Sequence, residues 1–271
     1  MGRQTAEDRR LTTDDRRQVK EFCGLPTAAL DIGNSRTKIA LSTQDAVRHF
    51  RTISSAMRAC ETENAVRWGI GSVCPAKTEK IVGQIRQRRP GDIIMVLKVK
   101  DVPLKAEVNH PEKVGIDRLL AAYAAVCWKR KRSGNAPMLL CDLGTAITVD
   151  LISPDDVFLG GAILPGMKLA AKSLRRGTAQ LPRMDSFEAS TFPGRNTADA
   201  IRTGIFNETV GAIQRFYDLA ASKFSNVKPL LLLTGGDAEV VFPEIEREFP
   251  AFFLPHLVLD GIYTVVSASN R

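Results

Sequence analysis

Two short segments combine a carboxylate, a glycine turn and a hydroxyl in the same order. One covers residues 141–150 and the other residues 30–41. In the first, Asp142 ends an apolar run, Gly144 follows two residues later, and Thr145 comes directly after the glycine. A carboxylate can hold a metal ion, whereas turn N–H groups and a hydroxyl can bind phosphate oxygens. This segment is therefore a candidate site for a phosphate–metal group.

The segment at 30–41 repeats this layout near the N-terminus. Asp31 follows an apolar run, Gly33 stands two residues later, and the polar Asn34 and Ser35 come next. After each turn, apolar and polar residues alternate with the period of a β-strand, so both segments are predicted to be β-hairpins. A single turn of this kind is most often a plain hairpin. Two copies, each opening about half of the chain, favour a duplicated domain with a phosphate held between the halves.

Two further glycine-containing segments are candidates for ligand binding. A buried strand predicted at 230–233 runs into Gly235-Gly236, a pair that would let a flat adenosine group lie against the backbone. Asp117 begins a predicted helix, where a carboxylate is commonly only a favourable N-terminal charge. Gly115, two residues earlier, would let a ligand approach that helix N-terminus closely, and this raises the odds of a functional role.

The composition is that of an ordinary globular chain, with 44% hydrophobic and 25% charged residues among 271. No apolar run is long enough to span a membrane, and the polar N-terminus differs from a signal peptide. Five cysteines without a CxxC pair favour a reducing compartment, so a cytoplasmic location is expected, with Cys127 and Cys141 as buried thiols. The three histidines lack metal-ligand spacing, which argues against zinc.

The net charge of +8 raises the question of nucleic-acid binding. The basic residues lie in separate places and are not interleaved with aromatic residues, so a solvated surface is the favoured interpretation. No nucleic-acid partner is expected, although a nucleic-acid-binding protein stays open as an alternative. A P-loop enzyme is excluded because the chain has no GxxxxGK[ST] sequence.

Strand and helix patterns alternate along the chain, which predicts an α/β fold. Residues 1–26 are expected to form a disordered extension, since the first twenty carry almost no large apolar side chains. We expect a first lobe at 27–118, and a linking helix with a second lobe at 119–271. A long amphipathic helix is predicted to begin near Thr197, with Asn196 or Thr197 as its N-cap.

Together these motifs resemble a type III pantothenate kinase over residues 29–266. Each motif is weak alone, but their order is specific. The matching segments are DIGNS at 31–35, GIGSVCP at 69–75, GIDR at 115–118, DLGTAITVD at 142–150, GGAILPG at 160–166, GTAQLP at 177–182, NT at 196–197 and LTGGD at 233–237. The resemblance implies the actin/Hsc70/sugar-kinase fold, with two similar ribonuclease-H-like lobes and a central cleft. It also implies a homodimer that phosphorylates the 4′-hydroxyl of pantothenate with ATP, the first step of coenzyme A synthesis.

The resemblance also implies roles for individual residues. Asp117 corresponds to the proton acceptor, and Asp142 to the ligand of a monovalent cation, K⁺ or NH₄⁺. Thr145 corresponds to an ATP contact, and Thr197 to a pantothenate contact. The expected phosphate hairpin comprises Asp31, which serves Mg²⁺ directly or through water, with Ile32, Gly33, Asn34, Ser35, Arg36, Thr37 and Lys38. The expected pantothenate segment comprises Gly115, Ile116, Asp117 and Arg118.

The chain departs from the family pattern at two places. Ser35 stands where the family commonly has threonine, which keeps the hydroxyl. The segment VNH at 108–110 lacks an aromatic residue that the family often has there, which changes the expected shape of the pantothenate pocket. A non-catalytic regulatory protein on the same fold is a second alternative. The presence of Asp31, Asp117 and Asp142 argues against that loss of activity.

Overall fold

A computed structural model of the chain describes residues 25–43, 46–132, 134–184, 186–187, 192–225 and 227–268. The extension expected at 1–26 therefore lies almost wholly outside the described residues. The described residues form two compact units. We call residues 25–132 with 256–268 the first unit, and residues 134–255 the second unit.

The described elements alternate between strands and helices, as predicted for an α/β fold. In chain order they are β1 (Thr27–Ile32), β2 (Thr37–Ser42), β3 (Val47–Phe50), α1 (Ile53–Ala59), β4 (Arg67–Ser72), α2 (Pro75–Arg88), β5 (Ile93–Val96), α3 (Ile116–Arg130), β6 (Met138–Leu143), β7 (Ala146–Ile152), β8 (Phe158–Pro165), α4 (Met167–Gly177), α5 (Thr197–Lys223), β9 (Leu230–Thr234), α6 (Ala238–Glu248), β10 (Ala251–Phe253) and α7 (Leu257–Ala268). Short 3₁₀ turns lie at Val99–Asp101 and Pro111–Lys113.

The first unit is built on a five-stranded sheet with the order β3-β2-β1-β4-β5. The first three strands form an antiparallel meander, and β4 and β5 extend the sheet parallel to β1. Leu30, Ile39, Trp68 and Ile70 are fully or almost fully buried in its core. This burial fixes the register of β1 against β2, because a one-residue slip would expose the apolar face.

Helices α3 and α7 pack against each other and against the first sheet. The Tyr263 hydroxyl of α7 lies 2.9 Å from the carbonyl oxygen of Thr27 and 2.8 Å from that of Ala40, on adjacent strands. Helix α3, which the sequence prediction grouped with the second lobe, therefore lies in the first unit, and so does α7. The physical reason is the buried apolar surface that these two helices share with β1 and β4.

The second unit repeats the same topology. Its sheet has the order β8-β7-β6-β9-β10, with an antiparallel meander followed by two parallel strands. Helix α5, 27 residues long, covers one face of this sheet together with α4 and α6. Leu139, Cys141, Val149 and Leu233 from the strands meet Ile205 of α5 in one buried cluster. The matching strand order in the two units confirms the duplicated α/β fold that the repeated hairpin predicted.

Candidate active site

The hairpin between β1 and β2 places a carboxylate and a lysine side by side. Asp31 pairs with Lys38 across the two strands, and the Lys38 Nζ lies 3.9 Å from the Asp31 Oδ2. The Gly33 N–H donates to the Arg36 carbonyl at 3.0 Å, which closes the turn and leaves Asn34 exposed at its tip. The Asp31 side chain is only 14% exposed. The hairpin can thus offer turn amides and an ammonium group to an anion.

Lys77, which was not among the site residues predicted from the sequence, contacts the carbonyl groups of this turn. Its Nζ donates to the Gly33 carbonyl at 3.1 Å and also to the Asn34 carbonyl. Lys77 is the third residue of α2, whose first turn carries no acidic residue. A cation near a helix N-terminus is disfavoured by the helix dipole. This unfavourable position of a lysine at a helix N-terminus is the sequence signal that could have indicated a hydrogen-bond partner outside α2.

Asp117 lies in the first turn of α3, as predicted. Its Oδ1 accepts a hydrogen bond from the Arg118 N–H at 2.9 Å, and the side chain is half-buried. The N-cap of α3 is Gly115, which has no side chain to cap the helix, so the Asp117 carboxylate supplies an acceptor there. Asn109 and His110, within the segment that departs from the family pattern, are exposed.

In the second unit, the hairpin between β6 and β7 has a tighter turn. The Gly144 N–H donates to the Ala146 carbonyl at 3.1 Å, and Thr145 is exposed between them. The Thr145 carbonyl accepts from the Gly166 N–H at 3.1 Å, directly before α4 begins. A Cβ on Gly166 would overlap the carbonyl oxygens of Gly144 and Thr145. Only glycine therefore permits this close contact between α4 and the turn.

The turn after β9 packs against Asp142. Gly235 has a φ of +96°, and a Cβ at this position would overlap the Asp142 Oδ1 and the Leu143 backbone. The Asp237 N–H donates to the Leu143 carbonyl at 3.0 Å, and the Asp237 Oδ1 lies 3.8 Å from the Lys168 Nζ. Asp142 is thus held between two backbone turns, where carbonyl and carboxylate oxygens could serve a cation together.

Thr197 is exposed at the first position of α5. The N-cap is Asn196, whose side chain accepts from the Asp199 N–H at 2.9 Å. Capping therefore does not account for the Thr197 hydroxyl, although the sequence had left both residues open as caps.

The candidate residues divide between the two units. The first unit contains both the hairpin 31–38 and the segment 115–118 at the start of α3, while the second unit contains Asp142, Thr145 and Thr197. Among the residues that the structure describes, no three His, Cys, Asp or Glu side chains cluster as a metal site. Asp31 and Asp142 would therefore each need oxygens from water, backbone or phosphate to complete the shell of a cation.

Burial shifts the pKa of several groups outside the candidate residues. Burial raises the pKa of the Cys60 thiol to about 11, with Arg89 partly opposing it, and burial also raises that of Cys141. For Asp92, burial acts to raise the pKa, but hydrogen bonds from Arg89, Trp68 and a backbone amide lower it overall. Cys127 is half-buried, whereas the sequence predicted a buried thiol. These raised pKa values keep Cys60 and Cys141 protonated, which argues against thiolate chemistry at either residue.

Within the part of the chain that the structure describes, none of the helices has the length and apolar character to cross a membrane.

Comparison with known proteins identifies the family. The family model of type III pantothenate kinase matches residues 28–219. A type III pantothenate kinase from Rhodopirellula baltica is 33% identical over 228 residues, which cover 80% of this chain and 79% of that protein.

Solved structures agree on the fold. A Baf family protein from Campylobacter jejuni has a TM-score of 0.53 at 20% identity, over 90% of this chain and 98% of its own. A Sinorhizobium meliloti protein assigned as a 2-dehydro-3-deoxygalactonokinase has a TM-score of 0.53 at 14% identity, over 90% and 99%. These structures share the fold of this chain. The match over most of the chain shows that it belongs to the type III pantothenate kinase family, and hence that it is a kinase.

Proposed function

We propose that this kinase transfers the γ-phosphate of ATP to the 4′-hydroxyl of pantothenate, with Asp117 as the proton acceptor. The observation that carries the proposal is the placement of Asp117 at the N-terminus of α3, with one carboxylate oxygen bonded to the Arg118 amide. That bond holds the carboxyl group in one orientation and leaves its second oxygen to accept a proton. Gly115, Ile116 and Arg118 complete the pantothenate segment of the proposal.

In the proposed reaction, the 4′-oxygen attacks the γ-phosphorus while the bond from phosphorus to the β–γ bridging oxygen breaks. Asp117 accepts the proton that the hydroxyl loses, and ADP leaves with the bridging oxygen. Phosphoryl transfer depends mostly on positioning and charge neutralisation rather than on covalent chemistry by the protein. The hairpin 31–38 supplies turn amides and the Lys38 ammonium for the phosphate oxygens, and Thr145 supplies a hydroxyl and an amide.

Two cations complete this proposal. Asp31 is suited to hold Mg²⁺ directly or through water, because its carboxylate is mostly shielded from solvent at the end of β1. Asp142 is suited to hold K⁺ or NH₄⁺ beside backbone carbonyls, since it lies between the turns at Gly144 and Gly235. When bound, these ions offset the negative charge of the triphosphate.

We also propose a cytoplasmic homodimer. Thr197, which the family pattern places at the pantothenate site of a partner subunit, is exposed at the start of α5. Its hydroxyl is therefore available for such a contact. Sedimentation at micromolar concentration tests this arrangement, because a fully active monomer contradicts it.

The decisive experiment is a coupled assay for ADP with ATP, Mg²⁺, KCl and pantothenate, comparing the wild-type protein with Asp117→Asn. The variant should bind ATP and keep its melting temperature, but its kcat should fall by about 10²-fold or more, the usual scale for a general base. Turnover near the wild-type rate would reduce Asp117 to a helix cap. Omitting pantothenate controls for background hydrolysis of ATP.

A further inference from the structure

We propose that Lys77 is a positioning residue for the phosphate hairpin, because its ammonium group holds two successive peptide groups of the turn in a phosphate-binding orientation. The inference rests on the proposed function, since it takes the hairpin 31–38 as the phosphate site. It concerns a residue outside that hairpin. Lys77 donates to the carbonyl oxygens of Gly33 and Asn34 from the side of α2.

Because the peptide bond is planar, these two contacts also orient the N–H groups of the same peptides, on the opposite side of the turn. Both peptides are trans, and in a planar trans peptide the carbonyl and the following N–H point in opposite directions. Carbonyls of Gly33 and Asn34 that face one ammonium group therefore direct the N–H groups of Asn34 and Ser35 away from it. Successive N–H groups on the same side of a turn can bind an anion together.

Lys77 can hold this orientation because the start of α2 is itself fixed to β1. The Val73 N–H donates to the Ile32 carbonyl at 3.2 Å, one residue before Gly33. The Thr78 hydroxyl, next to Lys77, lies 2.6 Å from the Ser72 hydroxyl and 3.0 Å from the Cys74 carbonyl. These bonds fix the backbone of Lys77 close to the hairpin, so the ammonium group stays within reach of the turn.

The ammonium group also strengthens the two amides electrostatically. A cation bound to a carbonyl oxygen polarises the peptide group, which makes its N–H a better donor to an anion. The cost of a cation in the first turn of α2 is offset by the two carbonyl contacts. Lys77 thus acts on the phosphate through the backbone of the turn, whereas Lys38 is placed on the hairpin itself.

The test is calorimetric titration of Mg²⁺-ATP without pantothenate into four proteins: wild type, Lys77→Met, Lys77→Arg and Lys80→Met. Lys80 is the matched control because it lies one turn later on α2, is exposed, and loses the same charge. We expect Lys77→Met to weaken ATP binding by on the order of tenfold, the scale of one charged hydrogen bond. Lys80→Met should stay within about twofold of wild type, because exposed charges are screened by salt.

Steady-state kinetics separates positioning from general distortion. Lys77→Met should raise the KM for ATP and leave the KM for pantothenate within about twofold, with an unchanged melting temperature. Lys77→Arg, which can donate to both carbonyls, should recover most of the ATP affinity and keeps the test open if Lys77→Met fails to fold. Equal ATP affinities of Lys77→Met and Lys80→Met overturn the proposal, as do equal losses for both substrates.

The two proposals fail in different ways. A wild-type protein that binds ATP but does not phosphorylate pantothenate contradicts the proposed function, while a weaker Lys77→Met titration still supports the role of Lys77. Normal pantothenate kinase activity with unchanged ATP affinity in Lys77→Met contradicts the role of Lys77 alone. A wild-type protein that binds no Mg²⁺-ATP contradicts both.

Discussion

The two repeated hairpins share a strand topology but differ in what holds their turns. In the turn at 33–36, the carbonyls of Gly33 and Asn34 accept hydrogen bonds from a side chain, the Lys77 ammonium group. The turn at 144–145 is in close contact with the backbone of two other turns, through the Gly166 N–H and the close packing of Gly235 against Asp142 and Leu143. A long side chain can follow a turn that moves, whereas backbone contacts between glycines cannot adjust. The duplicated fold therefore has one adaptable hairpin and one rigid hairpin.

The largest expected effect concerns the cation at the rigid hairpin. Asp142→Ala should lose most activity, by about 10²-fold, and should abolish the stimulation by potassium. Wild-type activity should rise severalfold from NaCl to KCl through tighter ATP binding, since K⁺ sheds its looser water shell to carbonyl and carboxylate oxygens more readily. The measurement is the ATP saturation curve in NaCl and KCl at matched ionic strength.

Asp31→Ala is the matched control for this comparison. It removes the equivalent carboxylate of the adaptable hairpin, so it should lower activity yet keep the ratio between KCl and NaCl. Superimposable wild-type curves in the two salts would contradict a monovalent cation at Asp142. A lost potassium response in Asp31→Ala would show that the two hairpins share one cation function.

An effect of intermediate size is expected on the melting temperature, which glycine-to-alanine substitutions at the two hairpin turns should lower to different extents. Gly166→Ala forces a methyl group onto backbone carbonyls and should cost about 1–3 kcal/mol, which lowers the melting temperature by several degrees. Gly33→Ala should cost less, because its Cβ would lie 3.2 Å from the Arg36 carbonyl oxygen, a close contact that a shift of a few tenths of an ångström relieves. Gly204→Ala, in α5 with no atom within 4 Å of the new methyl group, should stabilise slightly. Scanning calorimetry distinguishes these outcomes, and equal losses at Gly33 and Gly166 would remove the distinction between the hairpins.

The smallest expected effect is at the tip of the adaptable hairpin. Ser35→Thr restores the residue that the family commonly has and keeps the hydroxyl, so the KM for ATP should change by no more than about twofold. Ser35→Ala removes the hydroxyl and should raise that KM further. A large loss in Ser35→Thr would mean that the turn is packed too tightly for an added methyl group, against the adaptability inferred from Lys77.

The sequence predicted the repeated elements better than their grouping. Both hairpins and the helix that carries Asp117 in its first turn follow from local alternation and turn chemistry, and the structure has them at the expected places. Helices α1 and α6 and strand β10 were missed, since α1 has seven residues, α6 contains Pro243, and β10 has three residues. Such short or interrupted elements are stabilised by tertiary packing rather than by local pattern.

Contacts between segments that are distant in sequence were also beyond local reasoning. Lys77 reaches carbonyls more than forty residues earlier in the chain, and no spacing rule connects them. The placement of α3 with the first sheet likewise depends on α7, which comes from the far side of the second unit in the sequence. The order of the motifs was sufficient to indicate the family, whereas the contacts of Lys77 and α7 could not be predicted from local sequence.

The Tyr263 hydroxyl, bound to carbonyls on β1 and β2, has a consequence for how the chain is made. The first unit lacks α7, which packs against α3 and the first sheet, until this helix has left the ribosome after the whole second unit. During synthesis the apolar faces of β1 and α3 that α7 will cover therefore stay exposed to solvent, while residues 134–255 can already fold. The two units have the same topology, but the second can complete its fold before the first, although the first is synthesised earlier. Until α7 is synthesised, the exposed apolar surface of the first unit makes it prone to aggregation.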